Sequence, residues 1–501
     1  MLPLGIFVLL RLPAMVHLPG GQDEQFFSVP GYTVWQCGIP RIPYLPTKNR
    51  STFFENADRC LMTLPPGLFY AQAPFFAIFP AGYPTSRIPL FLGALAVVVL
   101  TFAFGIRLGC RPETVWAACI ILALSRPLLF TALTARPDLL CVLCGLMSIA
   151  LLVTGKEFST KRVALIGVCC GFSGLFHPFA LVFCIQIGCF LLVSPGTLKD
   201  RAVRILAVSG ATLAVLALWL PLILMFPYEF QSQFFSNVLD RAGPGLPARL
   251  LWPLDSIRHH AVLLWEFAGP WQLALLAVGL GVATVAFAMD RDVDSNEVTK
   301  YRRTMYRRIL WLAWTSVYLT ATVAGLHPTK GYWLYSTILI LLCTARSANR
   351  LAIPSRADLA NVSKSWPACG LLAMCVLVTL PGAGLKSSWI YLRYWNDPQY
   401  HGARFISSVL EDLPRDGLFL ADLSYVFDVY LSGRETLLCQ EKDQYWGPEP
   451  IEYNRLLLAW EGEDAQWAKQ YDASLEKRYG SREIIQACFV DCFVPKDSIG
   501  P

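Results

Sequence analysis

Charge is what this chain has least of. Of its 501 residues only 16% are Asp, Glu, Lys or Arg, against about 25% in a typical soluble domain. That shortage excludes an ordinary soluble fold, and the high apolar content excludes a disordered chain. There are only six histidines. No Cys-x-x-Cys pair faces a second such pair or a His pair at zinc spacing, so no structural zinc site is indicated. The sequence also lacks a repeat at solenoid spacing and any low-complexity tract. The net charge of +6 is placed in loops between apolar runs, where basic residues mark the cytoplasmic side of a membrane protein. It is not a nucleic-acid signal.

Apolar residues are abundant, at 55% of the chain with a mean hydropathy of +0.46. The N-terminal run reads as a first membrane helix rather than a cleaved signal peptide, because it has no basic leading segment and carries Arg11 inside it. Further runs cover about 88–106, 114–133, 138–154, 163–176, 178–193, 205–226, 261–289, 309–326, 332–345 and 366–385. With the first helix they predict about eleven spans. Lys/Arg clusters at 107–113, 155–162, 194–204, 290–308 and 345–364 fall on every second connection, which places those loops in the cytoplasm. The opposite side then receives a long first loop (19–87), the 131–138 turn, the 227–260 loop, the 327–332 turn and everything after residue 385.

The expected architecture is therefore a polytopic α-helical membrane protein with a membrane domain at 1–385 and a small extracytoplasmic α/β domain at 386–501. In the latter, charges return and residues 402–439 read as an amphipathic helix, a strand and a further helix or strand. Of the 16 cysteines, most lie in apolar runs, where a thiol packs as a small hydrophobe. Cys37 and Cys60 share the first loop and could pair if it faces an oxidising compartment. Cys439, Cys488 and Cys492 are further candidates with no pairing deducible.

Three short segments on the outer side can carry chemistry. Asp23 and Glu24 follow the first span directly. Adjacent carboxylates there serve either as a solvated helix start or as a general base at a cavity mouth. Arg136 and Asp138 sit in a tight turn between apolar helices, either as an ordinary helix start or as a paired functional set, since ionisable groups are costly at the edge of the hydrocarbon. His327, Lys330 and Tyr332 occupy a short outer turn, where a snorkelling cation would also suit a lipid phosphate. His177, in a comparable turn, reads as a satisfied helix-end histidine before a metal ligand.

In this order, the features resemble the GT-C membrane glycosyltransferases, in particular the family 39-like branch with the protein O-mannosyltransferases and the aminoarabinose transferase of lipid A. The resemblance rests on the Asp23-Glu24 pair after the first span, the Leu64-Pro65-Pro66-Gly67 end of the first loop and Ser86-Arg87-Ile88-Pro89 entering the second span. The Ala135-Arg136-Pro137-Asp138 turn and the cationic turn before a Tyr-rich late span complete it. It implies a glycosyltransferase that moves a sugar from a polyprenyl-phosphate donor to an acceptor (protein, lipid or glycan) at the extracytoplasmic face. The chain would then be a multi-pass protein of the plasma (inner) membrane. Asp23 would be the base with Glu24 beside it, Asp138 would match the second-loop acidic residue, and Lys330, assisted by Arg136 or His327, would clamp the donor phosphate. His177 and Tyr332 are supporting candidates. Leu64 stands where bacterial relatives often have Lys, and Phe26 and Phe27 stand where they often have Tyr, which leaves the sugar open. No organic cofactor is expected, a divalent metal is left open without a ligand set, and the partners are the lipid donor, the acceptor and membrane lipids, not nucleic acid. The alternative class is a lipid-linked sugar flippase or secondary transporter. No Trp-Trp-Asp motif marks the oligosaccharyltransferase branch.

Overall fold

The structure is a computed structural model, and it describes residues 2–50, 52–155, 158–240, 245–289, 297–325, 330–351, 366–459 and 464–496. Helices dominate up to residue 393. They are α1 (Leu2–His17), α2 (Val29–Cys37), α3 (Gly67–Ile78), α4 (Tyr83–Arg107), α5 (Pro112–Leu124), α6 (Arg126–Leu133), α7 (Asp138–Val153) and α8 (Thr160–Phe176). There follow α9 (Leu181–Leu192), α10 (Leu198–Leu216), α11 (Leu254–Ala268), α12 (Pro270–Ala288), α13 (Glu297–Ala324), α14 (Trp333–Leu351), α15 (Trp366–Thr379) and α16 (Leu385–Arg393).

Most of these match an expected span within a few residues, but three expectations change. Among the described residues, only three helices are individually long and apolar enough to cross a bilayer: Tyr83–Arg107, Leu198–Met225 and Pro270–Ala288. A fourth arises if α5 and α6, bent by 56°, count as one span. The bend sits at Ser125 before Pro127, whose ring cannot continue the preceding hydrogen-bond ladder. The run at 261–289 is two helices, broken at Gly269 in front of Pro270. The long first loop is not a loop, since α2 and α3 pack against each other inside it with Gly31 seated on Gln72. Their apolar faces are too short to be read as spans, which is why hydropathy alone missed them.

Basic side chains cap helix ends at one extremity of the bundle. Arg162 donates to the Leu151 carbonyl at 2.8 Å and Arg346 to the Gly109 carbonyl at 2.8 Å, which suits both the free carbonyls and the dipole. The first-loop region and the C-terminal domain occupy the other extremity, together with the C-terminal end of α1.

The C-terminal domain is a five-stranded mixed sheet in the order β2-β1-β3-β5-β4. Its strands are β1 (Leu418–Ala421), β2 (Glu435–Leu438), β3 (Arg455–Leu458), β4 (Ala473–Gly480) and β5 (Phe489–Pro495). β1 pairs with β2 and β3 in parallel, and β5 runs antiparallel to β3 and β4. The amphipathic helix expected before β1 is α17 (Gly402–Glu411), and α18 (Val426–Leu431) connects β1 to β2.

The first-loop region closes the β2 side of this sheet: the Leu438 amide donates to the Tyr44 carbonyl at 2.9 Å, and Asn49 donates to the Gln444 carbonyl at 2.7 Å. A second anchor comes from the segment after α10. There Gln233 accepts from the Met62 amide at 2.6 Å and donates to the Glu55 and Cys60 carbonyls at 2.8 and 2.9 Å. Buried amides and carbonyls need such partners, so one glutamine fixes a stretch of irregular chain. Cys37 is an exposed thiol and Cys60 a buried one, both free, as are Cys488 and Cys492. The suggested Cys37–Cys60 disulfide is therefore not formed.

α18 presses the C-terminal domain onto the start of α4. Phe427 meets Tyr83 edge-on at 5.5 Å, and the Tyr83 hydroxyl donates to the Leu423 carbonyl at 2.8 Å. Asp428 is half-buried in this junction; burial pushes its carboxyl up to about 7, with Arg87 opposing in part. A carboxyl raised on folding binds more protons in the folded state, so its contribution to stability is lost as pH rises from about 4 to about 7. Asp428→Asn removes that titration. The melting temperature of the variant should therefore gain on wild type as pH rises from 5 to 8, and a difference independent of pH would contradict the assignment.

Candidate active site

The site grows from the sharp turn that ends α1. After Gly20 and Gly21, Asp23 adopts a left-handed conformation (φ 72°), uncommon for a residue other than Gly and tolerated best by Asp and Asn. The turn sends neighbouring carboxylates in different directions. Glu24 points inward and is 1% exposed as a side chain, while 30% of the Asp23 side chain remains open.

Glu24 is wholly committed. Its Oε2 accepts from Arg87 at 2.5 Å and from the Gly21 amide at 2.8 Å, and its Oε1 accepts from Arg87 at 2.8 Å and from the Ala135 amide at 2.8 Å. Arg87, at the first turns of α4, also donates to the carbonyls of Met15, Leu18 and Pro19 at 3.2, 2.8 and 2.7 Å. Two desolvated charges are sustainable only when the remaining donors and acceptors are filled, and here they are. The pair ties together the end of α1, the start of α4 and the 134–138 turn.

That turn brings in the second set. Arg136 donates through Nε to Asp138 Oδ2 at 2.8 Å and through Nη1 to Asp23 Oδ2. Asp138 opens α7, where the helix dipole favours a carboxylate; its side chain is fully buried, and its Oδ1 has no hydrogen-bond partner among the described residues. A row of acid, guanidinium and acid results, with solvent access only at the Asp23 end.

The late cationic turn meets this row from the other side. Residues Lys330–Tyr332 form a single 3-10 turn before α14. Gly331 lies so close to Asp138 that a Cβ there would stand 3.0 Å from the Asp138 Cγ and 2.9 Å from the Thr131 methyl. Glycine is what allows this backbone to approach the carboxylate. Tyr332 stacks on Phe179 with ring centroids 4.8 Å apart, and its hydroxyl lies 3.4 Å from His177 Nε2. His177 Nδ1 in turn accepts from the Phe179 amide at 3.0 Å. The histidine thus caps its turn and supports Tyr332.

Of the residues singled out in the sequence, Asp23, Glu24, Arg136, Asp138, His177 and Tyr332 converge, and the backbone of Lys330 joins them. His327 lies outside the described residues. Arg87 enters the sequence reading only as part of a motif. Its signal was available: an arginine two residues before Pro89, at the head of an apolar run, needs a buried partner. The site does not suit a divalent cation, because the Arg136 guanidinium fills the space between Asp23 and Asp138. Among the described residues no three His, Cys, Asp or Glu side chains are grouped so that they could hold a metal ion.

No family model and no curated protein matches the chain by sequence. Solved structures do match by fold. ArnT from Cupriavidus metallidurans bound to undecaprenyl phosphate superposes with a TM-score of 0.59 at 12% identity, covering 100% of this chain and 98% of that one. The same protein in the apo state gives 0.55 at 12% identity over 97% and 96%. An oligosaccharyltransferase from Archaeoglobus fulgidus in complex with Zn and sulfate gives 0.51 at 10% identity over 94% of this chain and 68% of that one. The chain thus shares the fold of ArnT, sheet domain included.

Proposed function

We propose, from this shared fold, that the chain is a multi-pass membrane glycosyltransferase. It transfers a sugar from a polyprenyl-phosphate donor to an acceptor hydroxyl or amine at the extracytoplasmic face. The observation that carries this reading is the division of labour among three carboxylates at one end of the bundle. Glu24 and Asp138 are buried and paired, and Asp23 alone is both oriented and open.

In the reaction, the acceptor attacks the anomeric carbon, a new glycosidic bond forms, and the bond from that carbon to the phosphate oxygen breaks. Asp23 takes the acceptor proton and the polyprenyl phosphate departs as an anion. Such a leaving group needs no proton, so one base and a cationic clamp suffice where glycosidases need two carboxyls. Arg136 holds Asp23 from behind, its charge already balanced by two carboxylates, and therefore orients the base rather than gripping phosphate. The clamp falls to Lys330, with Tyr332 beside it. Glu24 and Arg87 are positioning residues that set the turn carrying Asp23.

This reading assigns about eleven spans to residues 1–385 and an extracytoplasmic domain to 386–501, in the plasma membrane. It predicts that Cys37, the exposed thiol of α2, reacts with a membrane-impermeant maleimide added outside intact cells. Lys300→Cys should react only after permeabilisation; reaction of both from the same side contradicts the topology. The donor site is tested by a structure with polyprenyl phosphate bound. The phosphate is expected against the 330–332 turn within reach of Asp23, and a phosphate at the opposite end of the bundle overturns the reading.

A further inference from the structure

Three helix breaks meet in one layer of the bundle. α5 ends at Leu124 and α6 begins at Arg126, α11 ends at Ala268 and α12 begins at Pro270, and α15 ends at Thr379 with α16 beginning at Leu385. Polar side chains join the breaks. The Arg126 amide donates to Gln272 Oε1 at 3.3 Å, Gln272 Nε2 to the Thr379 carbonyl at 3.4 Å, and the Arg126 guanidinium to the Phe267 carbonyl. From within the bundle, Arg11 donates to the Ala123 and Ala383 carbonyls at 2.7 and 2.6 Å.

The layer therefore holds two guanidinium groups, and among the described residues neither has a carboxylate within ion-pair distance. Arg11 is fully buried with its Nε unpartnered. Among the described residues the Arg126 guanidinium makes one hydrogen bond to protein, which leaves four of its five N–H donors without a protein partner there. Carbonyl capping alone would account for Arg11, but not for a half-buried arginine with most of its donors idle in apolar surroundings.

The backbone is shaped around that group. Gly382 (φ 79°) lies directly against it, and a Cβ there would collide with Nε and Nη2. Arg126 is also open to the flank of the bundle. Gly382 is exposed, and Trp271 and Leu385 are 64% and 42% exposed; a tryptophan so placed suits the headgroup level of a bilayer. α6 separates Arg126 from the Ala135–Asp138 turn by eight residues, about 12 Å of helix. The opening is thus distinct from the one at Asp23.

We infer that Arg126, backed by the charge of Arg11 and by the N-terminus of α6, binds the phosphate of a membrane lipid from the flank of the bundle. The inference rests on the membrane orientation proposed above. The chemistry is that of a guanidinium donating two hydrogen bonds to phosphate oxygens, supplied either by a phospholipid or by a polyprenyl phosphate. Glu266, on the neighbouring α11, is exposed and makes no ion pair with Arg126, so the charge is left for a ligand.

Purified protein should be examined by native mass spectrometry with phosphatidylglycerol, polyprenyl phosphate or diacylglycerol added in turn. In a Lys330→Ala background, which removes the donor clamp, the protein should retain one phosphate lipid, Arg126→Lys should keep part of it, and Arg126→Gln should lose it at least tenfold. Diacylglycerol should not bind. The two phosphate lipids tell the sources apart, and because the readout is binding, it stands even if no transfer activity is found. If Arg126→Gln does not fold, photoreactive phosphatidylglycerol and polyprenyl phosphate on wild type decide, with crosslinks expected at 126–130, 267–271 or 380–385. Retention of lipid by a folded Arg126→Gln in that background, or no crosslink in those segments from either probe, overturns the inference.

Discussion

Asp23→Asn should fold normally, bind donor normally and lose transfer by about 10²–10⁴-fold, the usual cost of removing a positioned base. Folding should survive because Asn accepts the left-handed conformation at residue 23 as readily as Asp does. An amide oxygen at 23 can still accept from Arg136. What disappears is the capacity to take a proton. Donor affinity should survive because the clamp at 330–332 approaches from the Asp138 side, away from the open Asp23 carboxylate. Lys330→Ala should show the converse, weakening donor binding first. A loss of donor affinity in Asp23→Asn equal to its loss of rate would make Asp23 a binding residue instead.

The second large effect is structural. Arg87→Met leaves Glu24 as an unpaired charge in a site 1% exposed, and breaking a buried pair from one side costs about 3–5 kcal/mol. That is a large part of the about 5–15 kcal/mol that holds a typical domain together. The single variant should therefore be recovered in low yield, with a clearly lowered melting temperature. Arg87→Met combined with Glu24→Gln removes both charges while keeping an acceptor for one of the Gly21 and Ala135 amides, and should regain part of the stability without regaining activity. The measurement is thermal unfolding in detergent of the single and double variants. Equal destabilisation by both would mean that the pair is not acting as a pair.

Much of this was legible in the sequence because the bilayer simplifies the code. Apolar runs and basic loops set helix positions to within a few residues, and adjacent ionisable residues at the ends of those runs could not be there without partners. So Asp23, Arg136, Asp138 and the Lys330 turn could be named before any contact was known. Their roles could not. Asp23 and Glu24 are chemically near-equivalent neighbours, and only the left-handed turn decides which enters the interior. Arg136 reads as a free cation in one dimension and as a bridge between two carboxylates in three. Arg87 is legible as a residue that needs a buried partner, but that partner lies 63 residues away, beyond any local pattern. The helices inside the first loop escaped because α2 and α3 are stabilised by each other and by the C-terminal domain, and tertiary packing of that kind overrides hydropathy windows. The breaks at Ser125 and Gly269 were softer misses, since Pro127 and Pro270 announce a possible interruption without fixing its angle.

The central claim is that lipid-linked sugar is consumed, and turnover tests it most directly. Purified protein is incubated with a panel of polyprenyl-phosphate sugars and mixed acceptors, and released polyprenyl phosphate is followed together with labelled glycosidic product. The account predicts release of polyprenyl phosphate and product in equal amounts with at least one donor, suppressed about 10²–10⁴-fold by Asp23→Asn. Turnover indifferent to Asp23→Asn, or movement of intact lipid-linked sugar across a vesicle membrane with no glycosidic product, would contradict it.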